Sequence, residues 1–434
     1  MRKFGIALLF VILSTLCFHT PLSEARFYID INAPALSAIP IAVCDFKDID
    51  RTGNSRLTRS LPQILNDDLV FTGLFKSLAP ESFLDNPGLT REQINFKNWR
   101  LIGAELLVTG GFSVNGNTLE LRMYLFDTFG ASMILGKKYR GNMEDHRIMI
   151  HRFANDIIHH LTGEKGIFLT QIAFICDVTG HKELYIADFD GYNPHQITNN
   201  KSITLSPSWS PNGNEIAYTS YRDGNPDIYV KDLYTGISRK LASYPGLNIA
   251  PAWTPSGEFV AATLSKDGNP DIYLLYRNGE IFKKLTNHRG IDVSPTFSPD
   301  GKHMAFVSDR SGGRQIYIMD IDVGETRRLT FKGRQNESPT WSPKGDRIAF
   351  VGMDGGKFQI YTIKPDGSDL RQLTHLGNNE APSWSPDGRL LVFNSNRDGK
   401  WSIYVMNANG TNQRKILSMK GNQMSPRWSP RLEW

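Results

Sequence analysis

The sequence predicts a multi-domain protein, α/β plus all-β: a small N-terminal α/β domain followed by a six-bladed β-propeller closed by the C-terminal strand. Three observations predict it. An aromatic-centred motif recurs six times in the C-terminal 270 residues. The segment ahead of it lacks the repeat and mixes strand and helix periodicities. A basic, then apolar, leader precedes both.

The leader, residues 1–25, reads as an export signal. Arg2 and Lys3 form its basic start, and Phe4 to Phe18 is almost continuously apolar. Ser23 and Ala25 place small residues where a signal peptidase needs them, so cleavage is expected between Ala25 and Arg26. The apolar run is shorter than the roughly 20 residues of a membrane span. Cys17 follows bulky Leu16, which disfavours lipidation. A soluble exported protein is expected. Its remaining cysteines, Cys44 and Cys176, fall in different domains and read as free, buried thiols.

Residues 26–163 form the α/β domain. The stretch Arg26, Phe27, Tyr28, Ile29, Asp30, Ile31 alternates apolar and more polar residues. Such a segment (26–36) suits either addition to a partner's sheet edge or an ordinary edge strand of its own domain. Ile39 to Phe46 has a buried-strand pattern, and Leu57, Leu61, Ile64, Leu65 and Leu69 follow helical spacing. Leu106–Phe112, Leu119–Phe126 and Ser132–Tyr139 read as strands, with Asn115-Gly116 as the hairpin turn between the first two. Met149, Phe153, Ile157 and Leu161 give a last helix that ends at Gly163.

Residues 166–434 carry the repeat. SPSWSPNG surrounds Trp209, and its relatives centre on Trp253, Phe297, Trp341, Trp384 and Trp428, at spacings of 44, 44, 44, 43 and 44 residues. A glycine turn follows in five copies (Gly213, Gly257, Gly301, Gly345, Gly388), then a short apolar strand, then a second strand carrying an Ile-Tyr pair such as Ile228-Tyr229. A turn and a last short strand complete the unit. Four short strands per repeat of this length is one propeller blade. Residues 171–200 match the second, third and fourth strands only, while the last motif, around Trp428, has no strands after it. The C-terminal strand therefore completes the first blade, and the ring closes with six.

Composition and motifs argue against catalysis. Formal net charge is +5 without a basic stripe, so no nucleic-acid partner is expected. There is no G-x-S-x-G, H-E-x-x-H, C-x-x-C, P-loop or dinucleotide fingerprint. The ten histidines are scattered, and adjacent His159 and His160 cannot form the zinc pair of a helix face. Asp188-Phe189-Asp190-Gly191 falls where the other repeats have plain turns and reads as one. No catalytic residue, metal ligand or cofactor is expected.

The leader, the stretch RFYIDINAP before IPIAVCDF, the α/β domain and the six SPxWSPDG-type repeats together resemble the TolB family, periplasmic propellers of the Tol–Pal system. The resemblance spans essentially the whole chain. It implies a monomeric periplasmic binding protein whose propeller mouth takes the lipoprotein Pal and whose mature N-terminus takes TolA. It further implies support of outer-membrane integrity and of constriction during cell division. By position the Pal contacts fall in loops before each first strand: Leu247, Asn248, Ile249, Ala250, Asp292, Val293, Asn336, Glu337, Asn379 and Glu380. For TolA they fall at Arg26 to Ile31. The alternative class is a propeller enzyme, a lyase or a peptidase accessory domain. It lacks here a hydrolase domain and convergent histidines in the repeats.

Overall fold

In the computed structural model, residues 38–51 and 53–432 are described. The leader, its cleavage site and the segment 26–36 lie outside the described residues.

Asn54 starts the first helix, α1 (Ser55–Phe71), by accepting a hydrogen bond from the Leu57 amide at 3.3 Å. Its apolar stripe packs on a mixed sheet of β1 (Ile39–Val43), β2 (Lys47–Asp48), β3 (Phe75–Ser77), β4 (Leu106–Asn115), β5 (Thr118–Asp127) and β6 (Ser132–Asn142). The order is β3-β1-β4-β5-β6, with β2 beside β4; β1 runs parallel to β3 and β4, and the remaining main pairs are antiparallel. Strand alternation divides β1 between two cores. Ile41 and Val43 face α1 and the last helix, α3 (His146–Thr162). Ala42 faces the other side, where the short helix α2 (Phe96–Leu101) buries Trp99.

Three details differ from the sequence reading. The IPIAVCDF strand stops at Val43. Edge strand β3 and helix α2, of three and six residues, are too short to show a periodicity. In the hairpin Asn115 pairs with Thr118, so the turn residues are Gly116-Asn117, one later than expected; only Gly116, at φ 59°, takes the left-handed region. Gly163 caps α3 at φ 75°, donating to the His159 carbonyl.

The propeller is six four-stranded antiparallel sheets. Blades 2 to 6 are each continuous in sequence, with inner strands Thr204–Trp209, Asn248–Trp253, Asp292–Phe297, Asn336–Trp341 and Asn379–Trp384. Blade 1 is composite: its inner strand Gln423–Trp428 pairs with Gln171–Cys176, matching Gln423 to Cys176 and Trp428 to Ile172. Side-chain bonds help fasten this clasp. The Trp428 indole donates to Thr170 Oγ1 at 2.8 Å, the Gln171 amide to Ser429 Oγ at 2.9 Å, and the Asn422 amide to Asp177 Oδ1 at 2.6 Å. The motif aromatics pack between sheets: Trp209 lies among Ala173, Ile175 and Ile186 of blade 1 and Ile216 and Tyr218 of its own blade. Stacking of this kind buries the faces a single sheet leaves open.

The domains share one core cluster. Phe189, in the 188–191 turn of blade 1, packs edge-on against Phe71 and Phe168, with ring centroids at 4.9 and 5.4 Å. Beside it Arg147 of α3 bonds Asp190 at 2.5 Å, and Arg414 of blade 6 donates to the Phe71 carbonyl at 2.6 Å. Cys44 and Cys176 are free and buried. Among the described residues no helix is long and apolar enough to cross a membrane.

Candidate functional site

Each inner strand is six residues long, and its side chains follow one pattern around the ring. The first residue is buried, the second half-buried on the channel, the fourth a buried proline, the last a buried aromatic. The third is Ser206, Ala250, Ser294, Ser338, Ala381 or Ser425, with φ between 51° and 56° in every blade. This left-handed residue makes a bulge that shifts the pairing register inside each inner strand, as between Leu205 and Ser208. Only a small side chain sits comfortably in that conformation beside a channel wall, which accounts for the recurring Ser-Pro or Ala-Pro.

The structure therefore separates the ten residues read as mouth contacts. They are not in loops: all but Leu247 belong to inner strands. Asn248, Asp292, Asn336 and Asn379 open those strands, and their side chains turn back into the blade, fully or almost fully buried. Asn248 bonds Tyr244 through both its side-chain atoms, at 2.8 and 2.7 Å. Asn336 donates at 2.8 Å to both the Gln315 amide oxygen and the Lys332 carbonyl. Asn379 donates to Gln359 at 3.0 Å and accepts from Arg397 at 2.9 Å, and Asp292 accepts from Arg310 at 2.8 Å. These bonds anchor the loops, because a buried amide must find partners inside the protein, while Asp292 Oδ1 is buried with no partner among the described residues. The expectation that they present hydrogen-bonding groups to a partner is corrected accordingly.

The second positions do face the opening. Leu205, Ile249 and Val293 line the mouth with Glu337, together with Ala250, Tyr221, Ile291 and Arg314. Just above them, Ile203, Leu247 and Ile291 are 45%, 38% and 45% exposed. Blades 2, 3 and 4 thus present an apolar arc two residues deep. Across the ring the equivalent outer positions are Gln335, Asn378 and Asn422, and the inner ones include Glu337 and Glu380. Glu337 pairs with Arg314 at 2.8 Å. Burial, and then the neighbouring Glu337, hold the Glu380 carboxyl above the usual carboxylate range.

A family model for the TolB beta propeller domain matches residues 158–432, and one for the TolB amino-terminal domain matches residues 27–134. The chain belongs to the TolB family. The crystal structure of TolB from Acinetobacter baumannii superposes with a TM-score of 0.82 at 30% identity, covering 91% of this chain and 97% of that one. The Tol-Pal system protein TolB of Desulfosudis oleivorans is 47% identical over 218 residues, 49% of this chain and 50% of that protein. That of Syntrophotalea carbinolica is 42% identical over 219 residues, 50% of each. The chain spans about half the length of the curated relatives it matches. The relatives carry the Tol-Pal system in their names, and the family models account for both the propeller and the domain ahead of it.

Ile203, Leu205, Ile291 and Arg314 of the mouth were missed by sequence reasoning. The apolar residue just before or within the start of blades 2 to 4 was the available signal, and it is legible once the repeats are aligned. Elsewhere Asp68 and His151 form a buried pair at 2.7 Å between α1 and α3, and burial raises the Asp68 carboxyl to about 6. Its position, sealed between helices, makes it an interhelical tie. Among the described residues no group of three or more His, Cys, Asp or Glu is placed to hold a metal.

Proposed function

We propose that this TolB-family protein works in the periplasm as a monomeric binding component of the Tol–Pal system. It takes Pal at the propeller mouth and TolA through the mature N-terminal segment 26–36. Through these partners it supports outer-membrane integrity and constriction during division. The observation that carries the Pal reading is the apolar arc of blades 2 to 4, facing a polar and acidic arc across one concave opening. An apolar patch bordered by polar groups is the usual build of a protein-binding surface. Its anchors are Ile249 and Val293, with Leu247 and Ala250 beside them and Glu337 and Glu380 opposite.

Titration calorimetry of the mature protein with Pal tests this. Joint substitution Ile249→Ala and Val293→Ala is expected to weaken binding by at least about tenfold, as loss of central anchors does. Substitution of Asn212, in the turn after the first Trp motif, leaves it unchanged. Equal affinities throughout place the partner elsewhere. For the N-terminal segment, deletion of Arg26 to Ala33 is expected to abolish TolA binding and to leave Pal binding intact. Secretion is checked by sequencing the periplasmic protein, expected to begin at Arg26.

A further inference from the structure

Below the mouth the channel changes character. The inner strands line a second cavity of about 400 Å³ through their Ser-Pro or Ala-Pro steps and the fifth positions beyond them. At the fifth position blades 2 to 6 carry Ser208, Ala252, Thr296, Thr340 and Ser383; blade 1 carries Arg427. Arg427 is the only charged residue lining this cavity among the described residues. Among the described residues its guanidinium makes no ion pair, and the hydrogen bond it makes runs from Nη1 to the Pro426 carbonyl at 3.1 Å. It is half-buried, with its side chain set against the channel wall. That burial lowers its pKa to about 10, which leaves it charged at neutral pH.

A half-buried charge with no ion-pair partner among the described residues is costly to keep in a fold. The surrounding wall offers donors rather than a carboxylate. The hydroxyls of Ser206, Ser208, Ser294, Thr296, Ser338 and Thr340 border the cavity, and none bonds another protein group among the described residues. The backbone that carries the arginine is held in place. The Trp209 indole donates to the Arg427 carbonyl at 3.0 Å, and the Trp428 amide donates to Ser383 Oγ at 3.0 Å. A rigidly mounted guanidinium fork among unsatisfied hydroxyls from several blades matches an anion with acceptors on all sides.

We propose that the propeller channel binds one small tetrahedral oxoanion, of the phosphate or sulfate class, on Arg427. The hydroxyls that border the channel, Ser206 and Ser208 of the adjacent blade 2 first, supply its remaining hydrogen bonds. The site is separate from the mouth, which has its own apolar arc one layer above.

Inorganic phosphate is titrated calorimetrically into the mature protein, against chloride at constant ionic strength. One-site binding is expected. Arg427→Ser, which installs the blade 2 residue, is expected to lower the affinity at least about tenfold. Arg427→Lys, which keeps the charge and loses the fork, falls between the two. Crystals of the unsubstituted protein soaked in selenate are expected to show an anomalous peak within hydrogen-bonding distance of Arg427. This arm stands even if a variant does not fold. Absence of phosphate binding, equal binding by Arg427→Ser in a folded protein, or selenate bound only outside the channel overturns the proposal.

Discussion

The first and second residues of the inner strands are neighbours in sequence and opposite in fate. Asn336 is buried and spends its donor bonds on Gln315 of the preceding blade and on the Lys332 carbonyl of the connection between them, while Glu337 faces the mouth and meets Arg314. The same contrast separates Asn248 from Ile249 and Asp292 from Val293. Position one holds a blade's loops together, and position two writes the chemistry of the opening. A strand turns successive side chains to opposite sides, so identity one residue apart reports on unrelated selection. In a closed ring this difference is multiplied by six, and the mouth can vary along one register while the fold is kept by the other.

The severest way to break that comparison is to remove one inner strand from its blade. Deleting residues from Arg427 onward takes away Trp428, its bond to Thr170 and the Ser429 bond to Gln171. Blade 1 then exposes the edge of Gln171–Cys176 and an aromatic-lined face. The expected result is a fall in melting temperature above roughly 10 °C, out of proportion to the residues removed. Calorimetry checks it, and an unchanged transition would mean that the ring closes without the clasp.

Next in size is position one itself. Asn336→Ala takes from the Gln315 amide oxygen of the preceding blade one of its two donors, leaving Thr330, and takes the Asn336 donor from the Lys332 carbonyl. A loss of about 1–2 kcal/mol is expected from these lost bonds, read by urea unfolding. At position two, Ile249→Ala alters a half-buried channel residue and is expected to shift stability by no more than about 0.5–1 kcal/mol. Its effect should appear in partner affinity. If the two substitutions destabilise equally, the division between the registers is wrong.

How much of this was legible follows from what a repeat reveals. Closure by the last strand could be read because the motif occurs six times while residues 171–200 lack its first strand. The register of the mouth could not. The residues before each Ser-Pro or Ala-Pro look like loop, and nothing in a string of letters marks the left-handed turn at Ser206 or Ser338 that ends regular pairing there. The small residue before proline was the visible trace of it. In the N-terminal domain, the long helices and the hairpin showed their periods, whereas β3 and α2 are held by tertiary packing. Arg427 was visible as the odd residue at a Ser, Ala or Thr position, yet its lack of a carboxylate partner among the described residues became meaningful only with the channel wall in place.

The smallest effect expected concerns the acidic arc, and its sign follows from Glu380. Burial and the nearby Glu337 raise its carboxyl pKa in the folded protein above the unfolded value. Its protonated form therefore favours the fold. That contribution is complete below the unfolded carboxylate pKa of roughly 4.3 and is lost as pH rises through the raised folded value. At neutral pH the ionised side chain works against the propeller, held near a second carboxylate that is already shared with Arg314. Glu380→Gln keeps the shape and removes the charge. The variant is expected to melt higher than the unsubstituted protein at pH 7, on the order of 1–2 °C, and to converge with it near pH 4. Asn379, one residue earlier, has no titrating group, so Asn379→Ala is expected to lower stability equally at both pH values through its lost bonds to Gln359 and Arg397. Melting curves of both variants at the two pH values separate the registers. A pH-independent difference for Glu380→Gln would show that its carboxyl is free in solvent and that the acidic arc is not built as described.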